Sequence, residues 1–467
     1  MDRNNRKAII TFSSHVSEMS CAGHPGNDDN LVDVSNRKSV PPWVNHRHYC
    51  PNTDPVQAIR HVKALLSKHS QPVTWIINDN EYTNNNGTLP YLKKYQEDGD
   101  SIYVTFEITQ RPSPVNRKNT EEVLRYHHEK CSEVGLRIDG VWSIKFWQSD
   151  IYALLKLSKE FEWAKNLAGA CFYQGGHVDD SGWKGCPLGP YYPALNNIKG
   201  CQTPPVKYDV VMTHWLSRDF SACLQLDKME AWGLDPADPA RPRIGGFYSE
   251  QEAGDYLASV AIQFVDNTPT NLPNIVRIHE ETRCYFDEGH NKDIIIDKIY
   301  DALNNRKDEI IKLPLNEATK IFREENPEGS NSYLYSGVTL DKRFPQDKAM
   351  LYEDGRCQIH YKKSIGNYMY RMYDYTRQAN DSNSADYPFK VFPYIPYKIT
   401  NIDGGIELQF RIDQNLAKGI YSFAIWERPD LNRAESTLMF KHIKSHDGNH
   451  VVLFQMTEGE HTIRLFV

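Results

Sequence analysis

From Lys7 to about Ile311 the chain alternates short β-branched apolar runs with amphipathic stretches, and this alternation limits its fold more than any other feature. Repeated βα units and a parallel sheet are the expected outcome. Seven runs read as strands, at residues 8–12, 73–77, 102–106, 141–146, 168–172, 210–214 and 274–278, with 244–247 as a candidate eighth. Helix signals fall between them. Asp54 precedes Pro55 at a helix start, and Val56, Ile59, Val62, Leu65 and Leu66 then form one stripe. Asn119 with Glu122 and Ser249 with Glu252 have capping-box spacing, and Ser149 is placed to cap another helix. Because the strands are evenly spaced and apolar on both faces, a closed (β/α) barrel of seven or eight strands satisfies the pattern. An open doubly wound sheet is the rival, and its nucleotide-binding form is excluded because no strand is followed by Gly-x-Gly-x-x-Gly.

The length of 467 residues exceeds what one core holds, which leaves room for a second domain. After residue 311 the texture changes. Leu313-Pro314 and Asn326-Pro327 interrupt the periodicity, and Asp354-Gly355, Asp403-Gly404-Gly405 and Asp447-Gly448-Asn449 then sit between alternating runs as hairpin turns do. The expected division is an α/β barrel over 1–311 and an all-β sandwich over 312–467. Fifty-four basic against 61 acidic residues leave a net charge of −7 with no basic block, which argues against nucleic acid as a partner. Neither a membrane-spanning run of about 18 apolar residues nor a signal-peptide core of about 7–15 is found. A cytoplasmic location is one expectation; a periplasmic or extracellular one holds if a leader was removed. Of the nine cysteines none forms a Cys-x-x-Cys pair, and most are expected to be buried thiols. Cys186 and Cys201 flank a Gly/Pro-rich loop that a bridge would close in an oxidising compartment.

A barrel carries its chemistry just beyond the carboxyl ends of its strands. There this chain places Ser13, Ser14 and His15; Asn78, Asp79 and Glu81; Glu107; Trp147, Gln148 and Asp150; and Gln174, His177, Asp179 and Asp180. His214, Trp215, Arg218 and Asp219 follow the sixth run, and His279, Glu280 and Glu281 the last. Hydrolysis of a glycosidic bond needs one carboxyl that donates a proton and one that stays ionised, which nominates Glu107, Asp150, Asp179, Asp219 and Glu280. His15, His177 and His214 are candidates for metal ligands or proton carriers. The aperiodic loop 174–193 carries Trp183, Tyr191 and Tyr192, suited to stack on a sugar ring, with Asp79, Trp215 and Arg218 as further substrate contacts. Each nomination has a structural competitor: acids before helices act as caps, histidines satisfy cores, and the loop aromatics can clamp the barrel shut. His442, His446 and His450 recur at intervals of four around a β turn and read as incidental surface histidines.

With Ile9-Ile10-Thr11-Phe12-Ser13-Ser14-His15 opening the barrel, Val73-Thr74-Trp75-Ile76-Ile77 second, and Gly185-Cys186-Pro187-Leu188-Gly189-Pro190-Tyr191-Tyr192-Pro193 in the loop, the chain resembles the glycoside hydrolase/deacetylase barrel superfamily. The likeness is closest to a polysaccharide-deacetylase-like bacterial branch of the kind found in gut Bacteroidetes, and it covers roughly residues 7–310. It implies a distorted or seven-stranded barrel facing an oligo- or polysaccharide, followed by a C-terminal β module. Polysaccharide deacetylases end strand one with Thr-Phe-Asp-Asp, whose second Asp binds metal, where this chain has Ser13 and Ser14. Their His-x-x-x-His pair should follow strand three, where Glu107-Ile108-Thr109-Gln110 stands. The Asp-His-His triad is therefore not carried over, and a divalent metal remains one option for the cofactor. Two readings stand: a hydrolase acting on a glycosidic bond or an acetyl group, and a noncatalytic glycan-binding protein on a degenerate barrel. An isomerase or aldolase ranks behind both, since fold does not fix chemistry.

Overall fold

A computed structural model describes residues 6–16, 54–83, 87–105, 120–146, 148–171, 187–195, 200–214, 216–225, 233–236, 248–269, 271–282, 285–286, 291–329, 332–342, 344–367, 369, 371–375, 397–413, 420–426, 433–455 and 457–466. Seven parallel strands form the barrel wall. They are β1 (Ala8–His15), β2 (Val73–Ile77), β3 (Ser101–Thr105), β4 (Gly140–Phe146), β5 (Asn166–Cys171), β6 (Val211–His214) and β7 (Ile275–Glu280), ordered β6-β5-β4-β3-β2-β1-β7. The eighth strand is β8 (Ile310–Lys312), which pairs with the first half of β1 while β2 pairs with the second half. The candidate eighth strand at 244–247 lies outside the described residues.

Nine helices are described: α1 (Pro55–Lys68), α2 (Asn80–Thr83), α3 (Leu89–Glu97), α4 (Thr120–Glu133), α5 (Gln148–Leu157), α6 (Phe220–Gln225), α7 (Glu250–Asp266), α8 (Lys292–Asn304) and α9 (Leu315–Glu325). Their starts follow local chemistry. Asp54 accepts a hydrogen bond from the Val56 N–H with Pro55 at the first position, and Ser249 and Glu252 form a reciprocal capping box for α7. Asn119 lies outside the described residues.

Strand alternation divides the side chains of β1 into two sets. Ala8, Ile10 and Phe12 face outward, where the helix stripes cover them; Ile9, Thr11, Ser13 and His15 face the interior. Much of the interior is apolar. Ile9, Ile76, Tyr103, Trp142, Ala168, Val211 and Ile275, one from each strand, pack in one cluster with Leu315, Ala318 and Phe322 of α9, which closes the barrel floor, and the cluster reaches the level of His15 at Ile76 and Trp142. Gly140 makes room for this cluster, because a Cβ there would stand 2.3 Å from the Tyr103 ring. The helix is fastened by Leu315 N–H donating to Thr74 Oγ1 at 3.0 Å and by Thr319 Oγ1 donating to Asn166 Oδ1 at 2.8 Å. Leu313-Pro314, read from sequence as a junction, is therefore the entry to a helix that belongs to the barrel core.

Between β6 and β7 no ladder is described, and Arg277 spans the gap. Its N–H donates to Ser217 Oγ at 3.0 Å, its carbonyl accepts the Ser217 N–H at 2.9 Å, and its Nη1 donates to Thr213 Oγ1 at 3.2 Å and to the His214 carbonyl. Nearer the mouth Leu234 stands between the two strands, donating to the Ser217 carbonyl at 2.8 Å and accepting the His279 N–H at 3.0 Å. The barrel is thus nearly closed and splayed at one seam.

The C-terminal region is antiparallel. One sheet, ordered β12-β11-β10-β9, contains β9 (Ser332–Val338), β10 (Lys348–Asp354), β11 (Cys357–Lys362) and β12 (Arg371–Asp374). The others comprise β13 (Tyr397–Ile402), β14 (Gly405–Ile412), β16 (Arg433–Ser436) and β19 (Gly459–Phe466), and β15 (Ile420–Ile425), β17 (Phe440–Lys444) and β18 (His450–Gln455). The three expected turn pairs join β10 to β11, β13 to β14 and β17 to β18, and Gly404 and Gly448 adopt the positive φ that such turns require. Alternation again sorts the layers. Tyr333, Tyr335, Ala349 and Leu351 pack on the barrel, while Met350, Tyr352, Ile359 and Tyr361 meet Ala424, Val451 and Leu453 of the next sheet. Phe423, Val452 and Phe454 then bury against Leu408, Phe410 and Ile463, completing a β-sandwich.

Candidate functional site

The upper interior of the barrel is polar where β1 and β7 run side by side. Their register sets Thr11 opposite Arg277 and Ser13 opposite His279, and all four face inward. These contacts run in series. Arg277 Nη2 donates to Ser13 Oγ at 3.0 Å, and Ser13 Oγ lies 3.0 Å from His279 Nδ1. His279 Nε2 is 3.7 Å from Glu281 Oε1, and Glu281 Oε2 is 3.6 Å from His15 Nδ1. Both imidazoles are fully buried, whereas the Glu281 side chain keeps 11% of its exposure at the mouth. Trp142 flanks the pair, its ring centroid 4.7 Å from that of His15 and 6.2 Å from that of His279, nearly parallel to the latter.

A guanidinium has five donors and no acceptor, so Ser13 accepts from Arg277. In the His279 tautomer that carries its proton on Nε2, toward Glu281, the Ser13 hydroxyl donates to Nδ1; in the other tautomer Nδ1 donates to Ser13. The arrangement can pass a proton between a hydroxyl, an imidazole and a carboxylate, next to a fixed positive charge.

The nominated residues are spread more widely. Glu280, one residue from Glu281, alternates to the outer face of β7, where its carboxylate meets Lys292 Nζ of α8 at 2.7 Å in a fully buried pair. Asp150 stands in the first turn of α5 and accepts from Thr120 Oγ1 at 2.7 Å, tying α4 to α5. Asp219 accepts the Ala222 N–H at 3.1 Å as a cap of α6 and the Tyr256 hydroxyl at 2.8 Å, and burial pushes its carboxyl up to about 6. None of these three joins the β1–β7 chain; each meets a helix instead. Asp79 is buried beyond the end of β2 beside Glu81, whose carboxylate accepts the Asn78 N–H.

His214 also faces away from His15. Its ring contacts the Pro187 carbonyl and lies 5.9 Å from Tyr191, on the outward side of β6 that carries Met212 into the helix-facing core. These two histidines therefore lie on opposite faces of the barrel wall, and among the described residues no group of three or more His, Cys, Asp or Glu is placed to hold a metal. Tyr191 is fully buried in a bridge to Met212, and Tyr192 packs on Phe322 at the floor with its hydroxyl donating to the Asn326 carbonyl at 3.0 Å. The loop is held there by Glu353 of β10, whose carboxylate accepts the N–H groups of Leu188 and Gly189 at 2.8 Å each. Burial raises the Glu353 carboxyl above the usual range. Arg218 is buried in a bridge to Gly233. Glu107, His177, Asp179, Trp183, Trp215 and Cys186 lie outside the described residues. His442 and His450, read as incidental, are joined Nε2 to Nδ1 at 2.7 Å within the sandwich.

Ser13, His279 and Glu281 stand at strand exits in the sequence but are not among its candidates, and Arg277 lies inside a strand run, which the strand-exit rule passes over. The signal for Arg277 was a lone cation inside Ile275-Val276-Arg277-Ile278; the signal for the others was strand parity, which separates His279 from Glu280.

Fold and site together define a (β/α)-barrel protein with a polar interior under its C-terminal mouth and a β-sandwich appended. In structure, the chain is similar to a proposed glycoside hydrolase/deacetylase from Parabacteroides distasonis, with a TM-score of 0.57 and 13% identity over 81% of this chain and 88% of that one. A proposed polysaccharide deacetylase from Mycobacterium smegmatis gives a TM-score of 0.41 at 10% identity, over 69% of this chain and 92% of that one. The first likeness shows that the barrel fold is shared. No family model and no curated protein matches the sequence. Among the described residues no helix is long and apolar enough to cross a membrane.

Proposed function

We propose that the protein is a carbohydrate-active hydrolase working at the carboxyl ends of β1 and β7. The observation that carries this reading is the Glu281 carboxylate set between the buried imidazoles of His15 and His279. Buried ionisable groups are costly to desolvate, and three of them converging beneath the end of a barrel that carries chemistry at its strand exits is the pattern of a working site. In this proposal His279 moves the proton, Glu281 stands against its ring, and His15 holds the second carboxylate oxygen. In the chain Glu107 follows β3, His177, Asp179 and Trp183 follow β5, and Trp215 follows β6. We assign them, with Asp79, to the glycan.

The test is release of acetate or of reducing ends from a panel of native and acetylated oligosaccharides, measured with added divalent ions and with a chelator. Wild-type turnover that falls about 100-fold or more in Glu281→Gln, a typical magnitude for loss of acid–base catalysis, supports the reading. Sugar binding with no release on any member of the panel replaces it with the glycan-binding module.

A further inference from the structure

We propose that Ser13 is a nucleophile that takes the acyl group of a small ester, with His279 as its base and Glu281 as the group that orients the imidazole. The proposal rests on the hydrolase reading above and specifies the bond that is broken.

A serine hydroxyl is a weak nucleophile unless a base stands within hydrogen-bond reach, and a nearby cation favours the charge that develops as it reacts. Ser13 has both. His279 Nδ1 and Arg277 Nη2 each lie 3.0 Å from its oxygen. The carboxylate follows on the far ring nitrogen at 3.7 Å. Such triads are recognised by geometry and roles, not by order along the chain. Here the ring is turned so that Nδ1 serves the hydroxyl.

Burial limits the substrate. Ser13 is 1% exposed and only Glu281 among these groups reaches solvent, so the acyl part must be small enough to pass it. The Trp142 indole beside both imidazoles supplies an apolar wall for a methyl group. An acetyl ester on a larger alcohol fits these conditions, because the alcohol stays at the mouth.

The step balances as follows. Ser13 Oγ bonds to the acyl carbon and its proton moves to His279 Nδ1. The bond from the acyl carbon to the alcohol oxygen breaks, and that oxygen takes the proton from His279. Water then attacks acyl-Ser13, giving its proton to His279. Ser13 Oγ leaves the acyl carbon and recovers that proton, so that one ester and one water yield one acid and one alcohol.

The experiment mixes the full chain with 4-nitrophenyl acetate, follows nitrophenol release, and maps peptides after an acid quench. A burst approaching one equivalent per chain and an acetyl mass on the peptide containing Ser13 are expected. Ser13→Ala should lose the burst and slow acetate release about 100-fold or more while still unfolding in one cooperative transition, at a lower midpoint because Arg277 loses an acceptor. Ser13→Cys, which keeps nearly the same volume, should carry the acyl group as a thioester on the same peptide. If wild-type protein hydrolyses the glycan panel and folded Ser13→Ala matches its rate, or folded Ser13→Cys carries no acyl group, the nucleophile is overturned and the hydrolase reading stands. If wild-type protein hydrolyses nothing, both fall together.

Discussion

The floor and the mouth of the barrel are built by the same seven strands, yet they hold opposite chemistries. One side chain per strand joins an apolar layer sealed at the floor by Leu315, Ala318 and Phe322. Beyond Ile9 and Ile275, the inward positions of β1 and β7 are Thr11, Ser13, His15, Arg277 and His279. A barrel needs only the first layer to be stable, because apolar burial contributes about 25 cal/mol per Å² and demands no exact partner. The second layer requires every donor and acceptor to be matched, which makes it costly unless used. Stability therefore resides at the floor and the proposed chemistry at the mouth.

The sharpest break of this contrast is Phe322→Ala. Removing a fully buried ring from the floor should cost about 3–5 kcal/mol, read as a shift in denaturant midpoint, and leave the pH dependence of any hydrolysis unchanged. A changed pH profile would show that floor and mouth are coupled. Lys292→Met tests the outer face in the same way. It removes the cation paired with the buried Glu280 carboxylate and should destabilise by about 3–5 kcal/mol, whereas the double variant Lys292→Met/Glu280→Leu should recover most of the loss. If the double variant folds well and still hydrolyses, Glu280 acts in structure and Glu281 in chemistry; if hydrolysis disappears, that division is wrong.

Much of the fold is legible in sequence, because strand length, β-branching and capping pairs are local. The seven strand runs, the Asp54-Pro55 start, the Ser249–Glu252 box and the three C-terminal turn pairs all depend on residues close in the chain. The floor helix is not, since Leu313-Pro314 looks like a break until α9 is seen filling the barrel. The site was half legible for a related reason. Sequence places His15 at a strand exit, but only the β1–β7 register aligns Ser13 with His279 across 266 residues. Parity decides the rest: Glu280 and His214 sit at the right ends of their strands and point out, while acids such as Asp150 and Asp219 serve helices, the competing role that capping chemistry always offers.

A smaller effect is expected at Asp219, whose burial lifts its carboxyl from 3.8 to about 6. Its folded form binds a proton more readily than its unfolded form, so its contribution is most favourable below about pH 4 and is lost as pH rises through 6. The shift corresponds to at most about 3 kcal/mol. Asp219→Asn, which keeps an acceptor for the Ala222 N–H and turns the Tyr256 hydroxyl from donor to acceptor of an amide N–H, should be more stable than wild type near pH 7 and lose that advantage near pH 4. Equal differences at the two pH values would remove the linkage, and loss of hydrolysis at equal stability would return Asp219 to the chemistry.

The least effect is expected from Tyr192→Phe, and it separates the two ends of the barrel most cleanly. The ring stays on Phe322 while one hydrogen bond to the Asn326 carbonyl is removed, a change of about 0.5–1.5 kcal/mol. A tyrosine that stacked on a sugar ring would also tolerate loss of its hydroxyl, so stability alone does not discriminate; affinity does. Tyr192→Ala, measured beside it, should lower stability by about 3–5 kcal/mol as a floor residue and leave the KM for any oligosaccharide unchanged in the protein that remains folded. A raised KM at intact stability would place Tyr192 at the mouth after all and would dissolve the division between a sealed floor and a working top.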